Sequence, residues 1–186
     1  MSTTTASIDR AATTTWTIDP AHSVVGFGVR HLMISTVKGR FAAVDGSVTV
    51  QDDDVETAEI DVTIEARSID TREEKRDAHL RSADFFDVER YPHLRFVSKD
   101  VRRTGESELE VRGALTIRDV TRDVKLRVRE LGTAQDPWGG RRAGYSASTT
   151  IDRKEYGLTW NQALETGGVL VGDDVKIELE VQLVRQ

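Results

Sequence analysis

The sequence predicts an all-β protein: an eight-stranded antiparallel β-barrel carrying one inserted helix. Strict two-residue alternation, short polar turns at regular spacing and a single capped helical interruption point to it. In Glu59-Ile60-Asp61-Val62-Thr63-Ile64 the apolar residues share one parity and the polar ones the other. The pattern recurs at Leu109, Val111, Gly113, Leu115 and Ile117, at Val124, Leu126 and Val128, and at Ala143, Tyr145, Ala147 and Ile151. It returns at Val175, Ile177, Leu179, Val181 and Leu183. Such strands have one dry face and one wet face, as in antiparallel sheets.

Taken in order, strands are expected at about 23–31, 39–50, 56–66, 94–103, 108–117, 121–131, 142–152 and 174–184. Asp52-Asp53-Asp54, Thr104-Gly105-Glu106-Ser107 and Asp136-Pro137-Trp138-Gly139-Gly140 are turn sequences joining neighbours in that series. Short connections give a meander. Curled on itself, it loses its exposed edges and encloses room for one small ligand. Thr71-Arg72-Glu73-Glu74 reads as a capping box with Thr71 as the cap, so a helix over about 72–81 is inserted between strands three and four. Pro92 then returns the chain to extended backbone. The stretch Gly157 to Gly168 interrupts the strands again and accommodates a short helix near 160–164. Residues 1–14, rich in Ser, Thr and Ala, read as a flexible N-terminal tail, leaving 15–186 as the barrel domain.

The chain of 186 residues fits one domain, and its net charge of −6 is spread rather than clustered. That balance argues against nucleic acid as a partner. The absence of cysteine excludes disulfides, thiolate metal sites and a Cys nucleophile. No apolar run approaches the roughly 20 residues that span a bilayer, so no stable membrane insertion is expected. The N-terminus lacks a basic segment followed by an apolar run, and a cytoplasmic location is the expectation.

Few residues suggest chemistry. His22, His31, His79 and His93 match no zinc spacing, and no metal or cofactor is expected. Ser23, His22 and Asp19 spell a triad on paper, but adjacent strand residues face opposite ways and no Gly-x-Ser-x-Gly elbow supports it. Gly26-Phe27-Gly28 lies within a strand and is not a phosphate loop. The inward parity is the better candidate: Phe27, Val29, Ile60, Val62, Phe96, Leu115, Leu126, Tyr145, Ala147 and Ile151 either fill a core or line a pocket. Small inward residues at Ala66, Gly113, Ala143 and Ala147, set against aromatic ones, favour an incompletely filled, elongated lumen.

Several segments together resemble the YceI-like family. They begin with Trp16-Thr17-Ile18-Asp19-Pro20-Ala21-His22-Ser23, Val25-Gly26-Phe27-Gly28-Val29-Arg30-His31 and Val37-Lys38-Gly39-Arg40-Phe41. The central match runs from Arg76 to Asp87, RDAHLRSADFFD, and closes with Tyr91-Pro92-His93-Leu94-Arg95-Phe96. Gly113 to Thr121 and Val171 to Val175 complete it. The resemblance implies a lipocalin-like barrel that holds a polyisoprenoid or similar long lipid, with no catalytic residue. Many such relatives carry a secretion signal, which this sequence does not show, so their periplasmic role is not carried over. The expected ligand contacts are the ten inward residues named above together with Trp160 and Leu164. His22, Arg30 and Asn161 are the expected head-group contacts at the mouth. The HLRSADFFD text is assigned to packing the helix on the barrel.

Binding, sequestration or transport of a long-chain apolar small molecule is therefore the leading expectation. Two alternatives stay open. An enzyme acting on such a lipid needs a titratable cluster at the lumen, around His22, His93 or Asp84. A filled barrel would serve only as an interaction module, and pairing into a homodimer is left open.

Overall fold

A computed structural model describes residues 12–165 and 167–186. The strands are β1 (Thr13–Ile18), β2 (Val24–His31), β3 (Ser35–Phe41), β4 (Val44–Gln51), β5 (Asp54–Glu65), β6 (Ile69–Asp70), β7 (His93–Arg103), β8 (Glu108–Ile117), β9 (Val120–Gln135), β10 (Arg141–Asp152) and β11 (Val171–Arg185), with one helix, α1 (Glu74–Arg81), between β6 and β7. The order β1-β4-β5-β7-β8-β9-β10-β11 returns to β1, closing an antiparallel barrel of eight staves.

Three staves are broken in the middle. β11 pairs with β1 through Leu183 to Arg185 and with β2 through Val171 to Glu180, so β1 and β2 are one stave interrupted at Pro20–His22. The same holds for β3 with β4 and for β5 with β6, the latter interrupted at Ala66–Ser68. Proline supplies no ladder donor, which makes a break at Pro20 natural. The Asp19 carboxylate stabilises it by accepting the Ala21 N–H at 3.0 Å.

The barrel matches the expected strand series, with one addition at its start. The expected tail of 1–14 lies outside the described residues up to position 11, and Thr13 and Thr14 already pair with Gln51 and Val50. The segment TTTWTI turns Thr14, Trp16 and Ile18 inward, only two of them apolar, so its threonines resemble tail although threonine suits strands.

The helix is present but is capped differently from the sequence reading. Glu73, not Thr71, is the N-cap, and its carboxylate accepts the N–H groups of Lys75 and Arg76. Arg72 sits at φ 62°, in the left-handed region, which separates Thr71 from the helix. Thr71 is instead gripped from within α1. Buried Asp77 accepts its backbone N–H at 2.9 Å and its hydroxyl, while Arg76 donates to the Thr71 hydroxyl and carbonyl at 2.8 and 2.9 Å. Arg81 reaches the carbonyls of Arg67 and Ile69, both at 2.8 Å. The short helix near 160–164 does not form; a 3-10 turn lies earlier, at Arg153–Tyr156. Its backbone groups are diverted. Asn161 clasps the N–H and C=O of Val171, and the buried Arg153 guanidinium takes the carbonyls of Leu158, Trp160 and Gly172.

α1 and the two loops close one end of the barrel. His79 stands edge-on to Phe85 and Trp160 with centroids 5.1 and 4.7 Å apart, and Phe86 meets Phe41, which meets Phe27. The RDAHLRSADFFD text is thus a polar latch followed by an aromatic plug.

Two outcomes follow. Asp77→Ala leaves the Thr71 N–H buried without a partner, and denaturant unfolding should show a loss of about 2–3 kcal/mol. Arg142 at 2.6 Å and His22 at 2.9 Å hold the Asp19 carboxyl down to about 2, so in acid the unfolded chain takes up its proton first. The stability this confers is complete above about pH 4 and is lost as pH falls toward 2. Asp19→Asn should lower the denaturation midpoint at neutral pH and flatten its decline over that acid window.

Candidate ligand-binding cavity

Closure turns one parity of every stave inward, and the interior is not filled. A cavity of about 500 Å³ runs down the barrel, within the range of small-molecule sites. Residues of all eight staves line it. Val101, Leu109, Val111, Leu115 and Ile117 on β7 and β8 are packed out of contact with solvent. Val124, Leu126 and Val128 of β9, Tyr145 and Ala147 of β10, and Ile177, Leu179 and Val181 of β11 are only half-buried, their free surface facing the lumen.

The two ends differ. The exposed lining residues, Asp53, Asp54, Arg103, Thr133 and Arg141, all sit where the β4–β5, β7–β8 and β9–β10 hairpins turn, so that end is the mouth. The other end is sealed by the Phe41–Phe86 and His79–Phe85–Trp160 contacts. At the mouth Arg103 pairs bidentately with Glu130, at 2.8 and 3.3 Å. Arg141 has no hydrogen-bond or ion-pair partner among the described residues. Deeper in, the lining is apolar except for the hydroxyls of Ser23, Thr149 and Tyr145. Burial, reinforced by the Glu130 carboxylate, pushes the Tyr145 phenol up, so it stays protonated and can donate a hydrogen bond into the lumen.

Of the expected contacts, Phe27, Ile60, Val62, Phe96, Leu115, Leu126, Tyr145 and Ala147 line this cavity. Val29 and Ile151 lie toward the sealed end, both paired with Val175, and do not line it. Trp160 belongs to the aromatic plug, and Leu164 lies in the loop beyond. The proposed head-group residues are elsewhere as well. His22 is exposed and bonded to Asp19, Arg30 braces a turn by donating to the Met33 carbonyl at 2.7 Å, and Asn161 is the clasp on Val171. The actual rim pair was reachable by parity: Arg103 is the next inward step after Val101, and Glu130 the next after Val128.

The triad residues are arranged without a relay. His22 Nδ1 faces Asp19, while Ser23 Oγ accepts the Gln182 N–H at 3.1 Å across the β11 seam. Among the described residues no group of three or more His, Asp or Glu side chains is arranged to hold a metal ion. His93 lies in a polar groove on the outer wall, and Asp84 pairs with His79 in the plug.

The YceI-like domain pattern matches residues 16–183. The chain belongs to this family. The UPF0312 protein of Staphylococcus aureus strain USA300 is 41% identical over 170 residues, covering 91% of this chain and 96% of the relative. The YCEI protein of Campylobacter jejuni superposes with a TM-score of 0.72 at 29% identity, over 84% of this chain and 90% of that one. Two further structures share the fold: Burkholderia cenocepacia BcnA, with TM-score 0.77, 21% identity and coverage of 89% and 98%, and a polyisoprenoid binding domain from Saccharophagus degradans, with TM-score 0.68, 14% identity and coverage of 92% and 98%. No described helix is long and apolar enough to cross a membrane.

The expected small inward residues behave in two ways. Ala143 and Ala147 border the lumen, but Ala66 lies in the turn between β5 and β6. Gly113 leaves no space, because a Cβ there would overlap the Phe96 ring and the Val97 carbonyl oxygen. Gly113→Ala should therefore cost about 1–3 kcal/mol in urea unfolding, as overpacking does.

Proposed function

We propose that the protein binds a long apolar lipid, a polyisoprenoid or a chain of similar character, in the barrel lumen, and sequesters or carries it. One observation supports this above the rest: an apolar channel of about 500 Å³, closed at one end and open at the other, inside a barrel that is otherwise well packed. A filled interaction module would have no such space. The name of the Saccharophagus degradans domain, polyisoprenoid-binding, agrees with the reading. Each methylene moved from water into the lumen contributes about 0.8 kcal/mol, so a long chain needs no charged contact to bind. The Tyr145 hydroxyl offers a hydrogen bond to a polar group carried inward, and the Arg103–Glu130 pair and Arg141 border whatever remains at the mouth.

The enzyme alternative draws no support from this geometry, since His22, His93 and Asp84 lie off the lumen. Ala147 projects inward between Leu179 and Val128, its neighbours on β11 and β9. Ala147→Trp should leave the circular dichroism spectrum unchanged and reduce uptake of a fluorescent long-chain probe at least about tenfold. Mass spectrometry of an organic extract of the purified protein should show a stoichiometric lipid. No extracted lipid, together with no probe uptake by the unmodified protein, refutes the proposal; unchanged uptake by Ala147→Trp puts the ligand outside the lumen.

A further inference from the structure

Water holds almost none of a long apolar chain free, so a protein that takes one up would meet it in a lipid phase, and the mouth has an appendage suited to that transfer. The β9–β10 hairpin rises from the rim: Thr133 and Arg141 line the mouth, and Gln135 pairs with Arg141 at its base. Three residues past Gln135 the hairpin carries Trp138, an indole 87% exposed. It sits in the turn that caps the hairpin, beyond the last strand pair.

The presentation is rigid. The Asp136 carboxylate accepts the N–H groups of Trp138 and Gly140 at 3.0 and 2.8 Å and the Arg142 guanidinium at 2.9 Å. Arg142 is in turn anchored to Asp19 and Gln182 of the barrel seam, at 2.6 and 2.8 Å. These bonds hold the hairpin backbone that carries the exposed indole. Indole is apolar with one N–H donor, which is why tryptophan collects at the boundary between lipid headgroups and acyl chains.

We infer that Trp138 docks the protein on a phospholipid surface and sets the mouth against it for ligand exchange; this rests on the lumen holding a lipid. The rim mixes Asp53, Asp54 and Glu130 with Arg103 and Arg141, so it suits a zwitterionic surface more than an anionic one. The hairpin tip at Leu32, Met33 and Ile34 is also apolar and exposed, with Ile34 at 79%, but it stands at the sealed end and cannot deliver a chain to the mouth.

The test uses the full chain with phosphatidylcholine vesicles. Of the three tryptophans, Trp16 and Trp160 are half-buried, so iodide quenching reports chiefly on Trp138. Vesicles should shield that fluorescence from iodide in unloaded protein. With a pyrene-labelled long-chain lipid, Trp138→Ala should bind the probe in solution as the unmodified protein does, yet deliver it to vesicles about tenfold more slowly, the effect of losing one partly buried indole. Ile34→Ala should transfer at the normal rate. Unshielded fluorescence, normal transfer by Trp138→Ala, or slowed transfer by Ile34→Ala alone overturns the inference. If the unmodified protein fails to take up the probe, it is the lipid-binding reading that fails, and the shielding measurement still decides the docking.

Discussion

Ring closure is the constraint from which the rest follows. β11 bonds to β10 along one edge and to β1 and β2 along the other, so the eight staves close into a ring, with only the inner pieces β3 and β6 keeping unpaired strand edge near the sealed end. Once the ring shuts, each stave's register decides its inward residues, because a slip of one residue would turn every apolar side chain to water. The outer wall contributes little by comparison. Its ion pairs, such as Lys125 on Glu110 or Lys99 on Asp123 across strands and Arg112 on Glu110 within β8, reach into solvent, and such pairs are each worth under about 1 kcal/mol. Stability comes from the inner face, which is also the face that lines the cavity.

The two ends solve opposite problems. At the sealed end the backbone leaves the regular ladder, and each freed polar group needs a partner. Charged side chains supply them: Arg81 and Arg76 bond carbonyls, Asp77 takes an N–H and a hydroxyl, and Arg153, only 3% exposed, gathers the loop that follows β10. Desolvation lowers the Arg153 pKa from its ordinary value, with Asp173 opposing that effect. None of these ions faces the lumen. At the mouth the hairpins are tight enough to satisfy their own backbone, so the end stays open and its charges are exposed on the rim.

The strands were legible in the sequence because alternation is a direct image of closure: inside and outside are the two parities. The same rule found eight lumen residues and, had it been carried one step past Val101 and Val128, would have found Arg103 and Glu130. What it missed depends on breaks in periodicity. β1 was lost because its threonines resemble a tail, and the Thr71 capping box was misread because Arg72 adopts a left-handed conformation that sequence spacing does not reveal. His22, Arg30 and Asn161, expected at the mouth, lie near turns and bond to neighbouring side chains and backbone. Gly113 shows the limit of reading small residues as empty space, because the Phe96 ring already fills that volume.

The lumen is bounded by those same volumes. On β7 and β8 the inward residues include Phe96, Val101, Val111, Leu115 and Ile117, which interlock, with the Phe96 ring lying over Gly113. β10 contributes the small lining residues Ala143, Ala147 and Thr149. Surfaces left without partners forgo dispersion contacts that a packed core would have. Any molecule that fills the cavity would restore them and so stabilise the barrel. Larger residues at Ala143 and Ala147 would take up part of that space.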